Sequence, residues 1–374
     1  GMVITAKHHD GFCLWPSAHT AHSVASSPWR GGQGDVVREV ADACRRHGLK
    51  FGFYLSPWDR NSPLYGTDAY NDYYKAQLTE LLTGYGDVFI VWFDGACGEG
   101  PNGRRQVYDF PGYIELVRKY QPGAVIFNDA GPDVRWVGNE AGSARLSEWA
   151  VVPSELTPLA DVQTGPGPWR GDLSTIYNTR PDIGSLASIL YSQGLCFAGS
   201  EMDMSIRPGW FYHPDEQPHS LERLMRTYIG SVGHNACFHL NVPPRPDGRL
   251  DDADVMRLRE LGEALRAAFG RDLAAGAKVE TTRQGTQSLT TVTLAQPEAL
   301  KHVVLMEDLS QGQRVESFAI EVDEGEAGWR TAFQGTTIGH KRICPITAHT
   351  GAFRVRVDAA RGPVAWRSIA AHGA

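Results

Sequence analysis

Asp87-Val88-Phe89-Ile90-Val91-Trp92-Phe93-Asp94-Gly95 is the stretch on which the fold of this chain turns. Its apolar residues follow one another without the alternation of a half-buried strand, so the strand must be covered on both faces, as in a parallel sheet flanked by helices. It ends in an acid and a glycine, at the end of a strand where parallel α/β folds hold their ligands.

Outward from it the same rhythm repeats. Upstream, Met2-Val3-Ile4-Thr5-Ala6 breaks into Lys7-His8-His9-Asp10-Gly11-Phe12, and Lys50-Phe51-Gly52-Phe53-Tyr54-Leu55-Ser56 stops at Pro57. Between these runs lies a helix near 35–47, whose start Gly34-Asp35 supplies a cap, and one near 69–84 with Tyr70, Tyr73, Tyr74, Leu78, Leu81 and Leu82 on a single stripe. Downstream, a helix near 111–120 leads to Ala124-Val125-Ile126-Phe127-Asn128. Residues 129–195 are rich in Gly and Pro and read as long loops with one strand near 145–150; strands at 195–200 and 236–241 and helices at 219–231 and 251–268 follow. Strand–helix alternation with about seven strands predicts a (β/α)8-type barrel, incomplete at its N-terminus, over residues 1–270. From 271 to 374 the pattern changes to alternation, as in Ser288-Leu289-Thr290-Thr291-Val292-Thr293-Leu294, and predicts a small C-terminal antiparallel β-sandwich.

Composition narrows the function. A formal charge of −7 over 374 residues offers no basic face for nucleic acid. No run approaches the ~18–20 apolar residues of a membrane span. The six cysteines carry no CxxC pair, and neither a zinc set nor a phosphate-binding glycine loop is present, so no metal and no cofactor is expected. Gly1 before Met2 reads as a residue left by tag removal, and no signal peptide is visible.

The chemistry-bearing candidates lie at strand ends and in loops. Asp94 closes the most hydrophobic strand; the competing reading is a turn or cap residue. Glu140, in Gly131-Pro132-Asp133-Val134-Arg135-Trp136-Val137-Gly138-Asn139-Glu140-Ala141-Gly142, has the setting of a general acid if apolar neighbours disfavour its charge, or else is an ordinary loop glutamate. Glu201 and Asp203 could touch a substrate or support a residue that does. His8 and His9 are adjacent on a strand, where side chains point to opposite faces, which argues against one shared metal ion. Paired carboxylates, histidines and loop aromatics without a cofactor motif suggest glycoside hydrolysis.

Ala6-Lys7-His8-His9-Asp10-Gly11-Phe12, Gly52-Phe53-Tyr54-Leu55-Ser56-Pro57-Trp58-Asp59 and Val91-Trp92-Phe93-Asp94-Gly95, in this order and spacing, resemble the family 29 glycoside hydrolases, the α-L-fucosidases. The Gly131–Gly142 loop and Ser205-Ile206-Arg207-Pro208-Gly209-Trp210-Phe211-Tyr212-His213 resemble the subgroup acting on α-1,3 and α-1,4 fucosyl linkages in branched, Lewis-type glycans. The resemblance implies Asp94 as nucleophile and Glu140 as acid/base of a retaining mechanism. It implies His8, His9, Tyr54 and Trp92 around fucose, Trp210 against the sugar's methyl group, and Trp58 and Asp59 toward the leaving-group glycan. The implied partner is a fucosylated oligosaccharide or glycoconjugate, and a full-length parent is expected in the periplasm or secreted; the oligomeric state is left open.

The family's barrel has a further strand, with a sugar-contacting histidine, before the motif that stands here at residue 8. The expectation from sequence is therefore a barrel lacking its first βα unit, with two unpaired strand edges and impaired activity. Alternatives are a non-catalytic fucose-binding remnant, or a related retaining glycosidase for another sugar. In the C-terminal region Trp329 and Trp366 are the only tryptophans that could serve glycan binding.

Overall fold

The computed structural model of the chain describes residues 1–129, 131–154 and 182–373. These divide into two compact units, one built mainly from residues 1–136 and the other from 137–153, 182–195 and 199–373.

In the first unit, β1 (Met2–Lys7), β2 (Phe51–Leu55), β3 (Ile90–Trp92), β4 (Val125–Phe127) and β5 (Val134–Trp136) lie side by side in chain order, all parallel. Helices α1 (Val36–Arg46), α2 (Asp68–Gly84) and α3 (Phe110–Tyr120) make the crossovers that parallel neighbours require. Asp35 caps α1 by accepting from the Arg38 amide at 2.8 Å, and Asp109 caps α3 through Gly112 N at 3.1 Å. The strand residues Phe53, Leu55, Val91 and Phe93 are buried in one core with Val37, Ala41, Tyr70, Tyr74, Leu78, Tyr113 and Val117 of the helices. Period-2 geometry therefore sends Tyr54, Trp92 and Asp94 to the opposite face, away from the helices.

In the second unit, β6 (Val151–Pro153) is short; the short β7 (Leu195–Phe197) falls mainly in the first unit, while β8 (Gly199–Ser205) and β9 (Ala236–Asn241) of the second are a longer parallel pair. Helices α4 (Leu186–Ile189), α5 (Leu221–Ser231) and α6 (Asp252–Phe269) belong to this unit. Met202 and Met204 pack with Val137, Ile206, Leu224, Ala236 and Leu261, which leaves Glu201, Asp203 and Ser205 on the other face of β8.

The C-terminal strands β10 (Lys278–Gln284), β11 (Gln287–Glu307), β12 (Val315–Asp323), β13 (Trp329–Gly335), β14 (Arg342–Ala360) and β15 (Trp366–His372) form one antiparallel sheet. Its two longest strands slip register between Thr293 and Glu298, opposite Thr350–Ala352. One half of each pairs toward β10 and β12, and β15 joins the other half of β11. Val292, Phe318, Ile320, Phe353 and Val355 from the first half meet Leu300, Val303, Leu305, Cys344 and Ala371 from the second in a single core. That is the sandwich packing the alternation predicts.

The fold class is the expected one, with seven barrel-type parallel strands (β1–β5, β8 and β9) and a C-terminal antiparallel sheet. Two details differ. Residues 145–150 form no strand; among the described residues of this stretch, β5 lies in text read as loop and the short β6 begins at Val151, just past the expected position. The strand expected at 195–200 is two strands, with β8 continuing to Ser205.

Candidate active site

Strand register sets out the site in layers. Thr5 pairs with Tyr54, Tyr54 with Trp92, and Trp92 with Phe127, so three aromatic side chains stand in a row across β2, β3 and β4. Trp92 stacks on Phe127 with ring centroids 4.0 Å apart and lies 5.1 Å from Tyr54. Two residues further along the same strands come Ser56, Asp94 and Asp129, a polar layer on top of the aromatic one.

Asp94 is the centre of that layer. Its Oδ2 accepts from the Tyr54 hydroxyl at 2.7 Å, and its Oδ1 accepts from the Ala96 amide at 2.7 Å. His9 Nε2 stands 3.8 Å from Oδ2. Burial, with the Asp94 charge beside it, pushes the Tyr54 phenol well above its ordinary range, so it stays a donor. Burial also lowers the pKa of His8, and brings His9 down to about 4 although Asp94 and Asp10 pull it up. Both imidazoles are therefore neutral near pH 7, fit for hydrogen bonding rather than for charge pairing. A Cβ at Gly95 would run into the Asp129 carboxylate, so a larger residue there requires that side chain to shift.

The loop after β1 is held to the loop after β2 by backbone hydrogen bonds from Ser56 N to Lys7 O (3.0 Å) and from Arg60 N to His9 O (2.8 Å). His8 stacks against Tyr54 at 5.6 Å and lies 4.0 Å from His9, whose other side meets Trp58 at 4.7 Å. The turn needs Gly11, at φ 77°, where a side chain would strike Asp59.

Asp59 itself is turned inward, against the sequence expectation that it faces a glycan. It is fully buried, its Oδ2 3.4 Å from the Lys7 ammonium and its Oδ1 accepting from the amides of Asn61 (2.9 Å) and Ser62 (2.8 Å). Lys7 is equally buried, bonded to Gln77 Oε1 at 3.0 Å and ringed by Tyr70, Tyr73 and Tyr74. The pair is the clamp under the His8–His9 turn and the Trp58 loop.

In the second unit, Glu140 is exposed on the turn after Gly138, a turn shaped by Ala141 N donating to Asn139 Oδ1 at 3.0 Å and Asn139 Nδ2 to Ser143 O at 3.1 Å. The apolar surroundings expected for it are not supplied by burial in this unit. Trp210 is 37% exposed, and its carbonyl accepts from Asn241 Nδ2 at 3.0 Å. Glu201 and Asp203 are buried, and Glu201 Oε1 lies 3.3 Å from His239 Nδ1 across the β8–β9 pair. Burial works against a charged His239, but the Glu201 hydrogen bond and the Glu201 and Asp203 charges prevail and raise its pKa. Trp329 is covered by Arg354 at 4.3 Å and Trp366 is tied to Thr290 by its Nε1 at 3.1 Å.

Sequence reasoning missed Asp129, Ser56 and His239. The signal was present for Asp129, an acid just past a buried strand, and for Ser56, two residues beyond Tyr54. His239 shows only once the register of β8 and β9 is known.

Comparison with known proteins agrees with this architecture. A family model described as alpha-L-fucosidase matches residues 2–268. Alpha-L-fucosidase 1 of Arabidopsis thaliana is 37% identical over 391 residues, covering 96% of this chain and 73% of that protein. A Bacteroides ovatus protein, crystallised as a candidate alpha-L-fucosidase, is 42% identical and superposes with a TM-score of 0.89 over 100% of this chain. This chain spans 63% of the Bacteroides ovatus chain, less than two thirds of its length. A Ruminococcus gnavus family 29 fucosidase, solved in complex with fucose, is 27% identical with a TM-score of 0.83, covering 100% of this chain and 82% of its own.

Proposed function

From the premise that this chain belongs to the α-L-fucosidase family of glycoside hydrolases, we propose that it releases terminal α-L-fucose from fucosylated oligosaccharides by a retaining double displacement. Asp94 attacks the anomeric carbon while the carboxylic acid of Glu140 protonates the leaving oxygen. Glu140 then takes a proton from the water that hydrolyses the fucosyl-enzyme. The observation that carries the reading is the Asp94 carboxylate, half-buried at a strand end and aimed by the Tyr54 phenol at 2.7 Å and the Ala96 amide at 2.7 Å. A nucleophile held by two donors keeps its geometry without being buried.

His8 and His9 bind sugar hydroxyls, Tyr54 and Trp92 line the same pocket, and Trp210 meets the apolar edge of the sugar. Trp58, packed on His9, stands toward the leaving group, and Asp59 supports it from below. Residues 1–270 serve as the catalytic region and 271–374 as its sandwich partner.

The Gly131–Gly142 loop and the Ser205–His213 segment support a preference for α-1,3- and α-1,4-linked fucose in branched, Lewis-type glycans. The test is fucose release from a Lewis trisaccharide, an α-1,2-linked fucoside and an aryl fucoside in parallel. Faster turnover of the trisaccharide supports the linkage reading; faster turnover of either of the others rejects it.

A further inference from the structure

Ser56 fixes which nitrogen of His9 carries the proton. Its Oγ lies 2.7 Å from His9 Nδ1 and 2.7 Å from the Trp58 carbonyl, to which it donates. A hydroxyl owns one proton. The Tyr54 phenol also neighbours Ser56, but it gives its own proton to Asp94 and could take the Ser56 proton only in place of Trp58. On either course Ser56 has only lone pairs left for His9, so a neutral His9 must donate from Nδ1.

The other nitrogen fits this. An Nε2–H would have Asp94 Oδ2 as its partner at 3.8 Å, beyond hydrogen-bonding distance. Free histidine favours the Nε2–H tautomer, so the observed environment reverses the ordinary preference, and the partner of one nitrogen sets the state of the other.

We propose that Ser56 is a positioning residue that locks His9 as the Nδ1–H tautomer, so that Nε2 offers a bare lone pair to a hydroxyl of the sugar beside Asp94. The proposal deepens the fucosidase reading and rests on it for the identity of the ligand. The groups facing His9 are Asp94, His8, Arg60, Asp10 and the Trp58 ring. Among the described residues, only Ser56 offers its Nδ1 a hydrogen bond.

The experiment is a long-range proton–nitrogen NMR correlation of the full chain labelled with 15N-histidine, with the His9 signal identified by its loss in His9→Asn. The wild-type chain is expected to show a protonated Nδ1 and a bare Nε2. Ser56→Ala is expected to shift His9 to Nε2–H and to lower kcat/KM on a fucoside about tenfold, the worth of one hydrogen bond. Ser56→Thr, which keeps the hydroxyl, is expected to retain the wild-type signature. A wild-type His9 protonated on Nε2, or an unchanged tautomer in Ser56→Ala, overturns the proposal. The wild-type spectrum decides even if a variant fails to fold. A chain that releases no fucose but shows Nδ1–H at His9 upholds the Ser56 assignment while refuting the reaction.

Discussion

Replacing Asp59 by alanine strips the partner from a fully buried lysine. Lys7 Nζ and Asp59 Oδ2 are 3.4 Å apart, with side-chain exposures of 0% and 1%. At an effective dielectric of about 20, opposite charges at that separation attract by ~5 kcal/mol, and desolvation of both ions offsets much of it. Truncating one ion of such a pair is more costly than its net worth, because the other charge stays behind: about 3–5 kcal/mol. Two further groups lose their acceptor, the amides of Asn61 and Ser62. Gln77 and the rings of Tyr70, Tyr73 and Tyr74 retain some hold on the ammonium, so the expected loss is ~3 kcal/mol. Equilibrium urea unfolding at neutral pH measures it. Adding Lys7→Met should recover more than half, since the orphaned charge is then gone. The pH dependence has a definite sign. Burial lowers the Lys7 pKa beneath its ordinary 10.5 in the folded chain. Between the folded value and 10.5 the unfolded chain binds more protons, so this residue's contribution to stability rises with pH across that window and is least favourable below it. A loss under about 1 kcal/mol for Asp59→Ala, or no recovery on adding Lys7→Met, would refute the clamp.

Two other outcomes are expected. Glu140→Ala should lose activity on Lewis-type substrates, and added azide should restore turnover of an activated fucoside; absence of rescue counts against Glu140 as acid/base. For His239, raised above its ordinary 6.5 by Glu201 and Asp203, the stabilisation is complete below 6.5 and fades as pH rises through the folded value. Glu201→Gln should therefore lower the urea midpoint more at pH ~5.5 than at pH ~9, and equal losses at both would contradict the linkage.

Much of this could be read in the residues because long elements leave strong periodic marks. Tyr70, Tyr74, Leu78, Leu81 and Leu82 of the helical stripe and Val88, Val91 and Phe93 of the apolar run are buried in one core, as their spacing requires. β5 escaped because Val134-Arg135-Trp136 is three residues long, carries a buried arginine and sits between Gly131-Pro132 and Gly138. β8 was misplaced because its alternation of Met202 and Met204 with Glu201 and Asp203 reads as polar loop text until one face is known to be core. The site shows the same division. Asp94 stands out because an acid closing a buried strand has nowhere to point but the strand end. Asp59, three residues on from Ser56, looks alike in sequence, and only the buried ammonium of Lys7 reveals that it faces inward. Motif order named His8, His9, Tyr54 and Asp94, which the structure brings together, while the direction of each side chain came from register and burial.

The proposed reaction stands or falls on Asp94 as the nucleophile. It is tested most directly by incubating the full chain with a 2-deoxy-2-fluoro-fucosyl fluoride, which slows the second displacement, and mapping the trapped adduct by peptide mass spectrometry. One fucosyl label is expected, on Asp94, absent from Asp94→Ala. A label on any other residue, or equal labelling of Asp94→Ala, would contradict it.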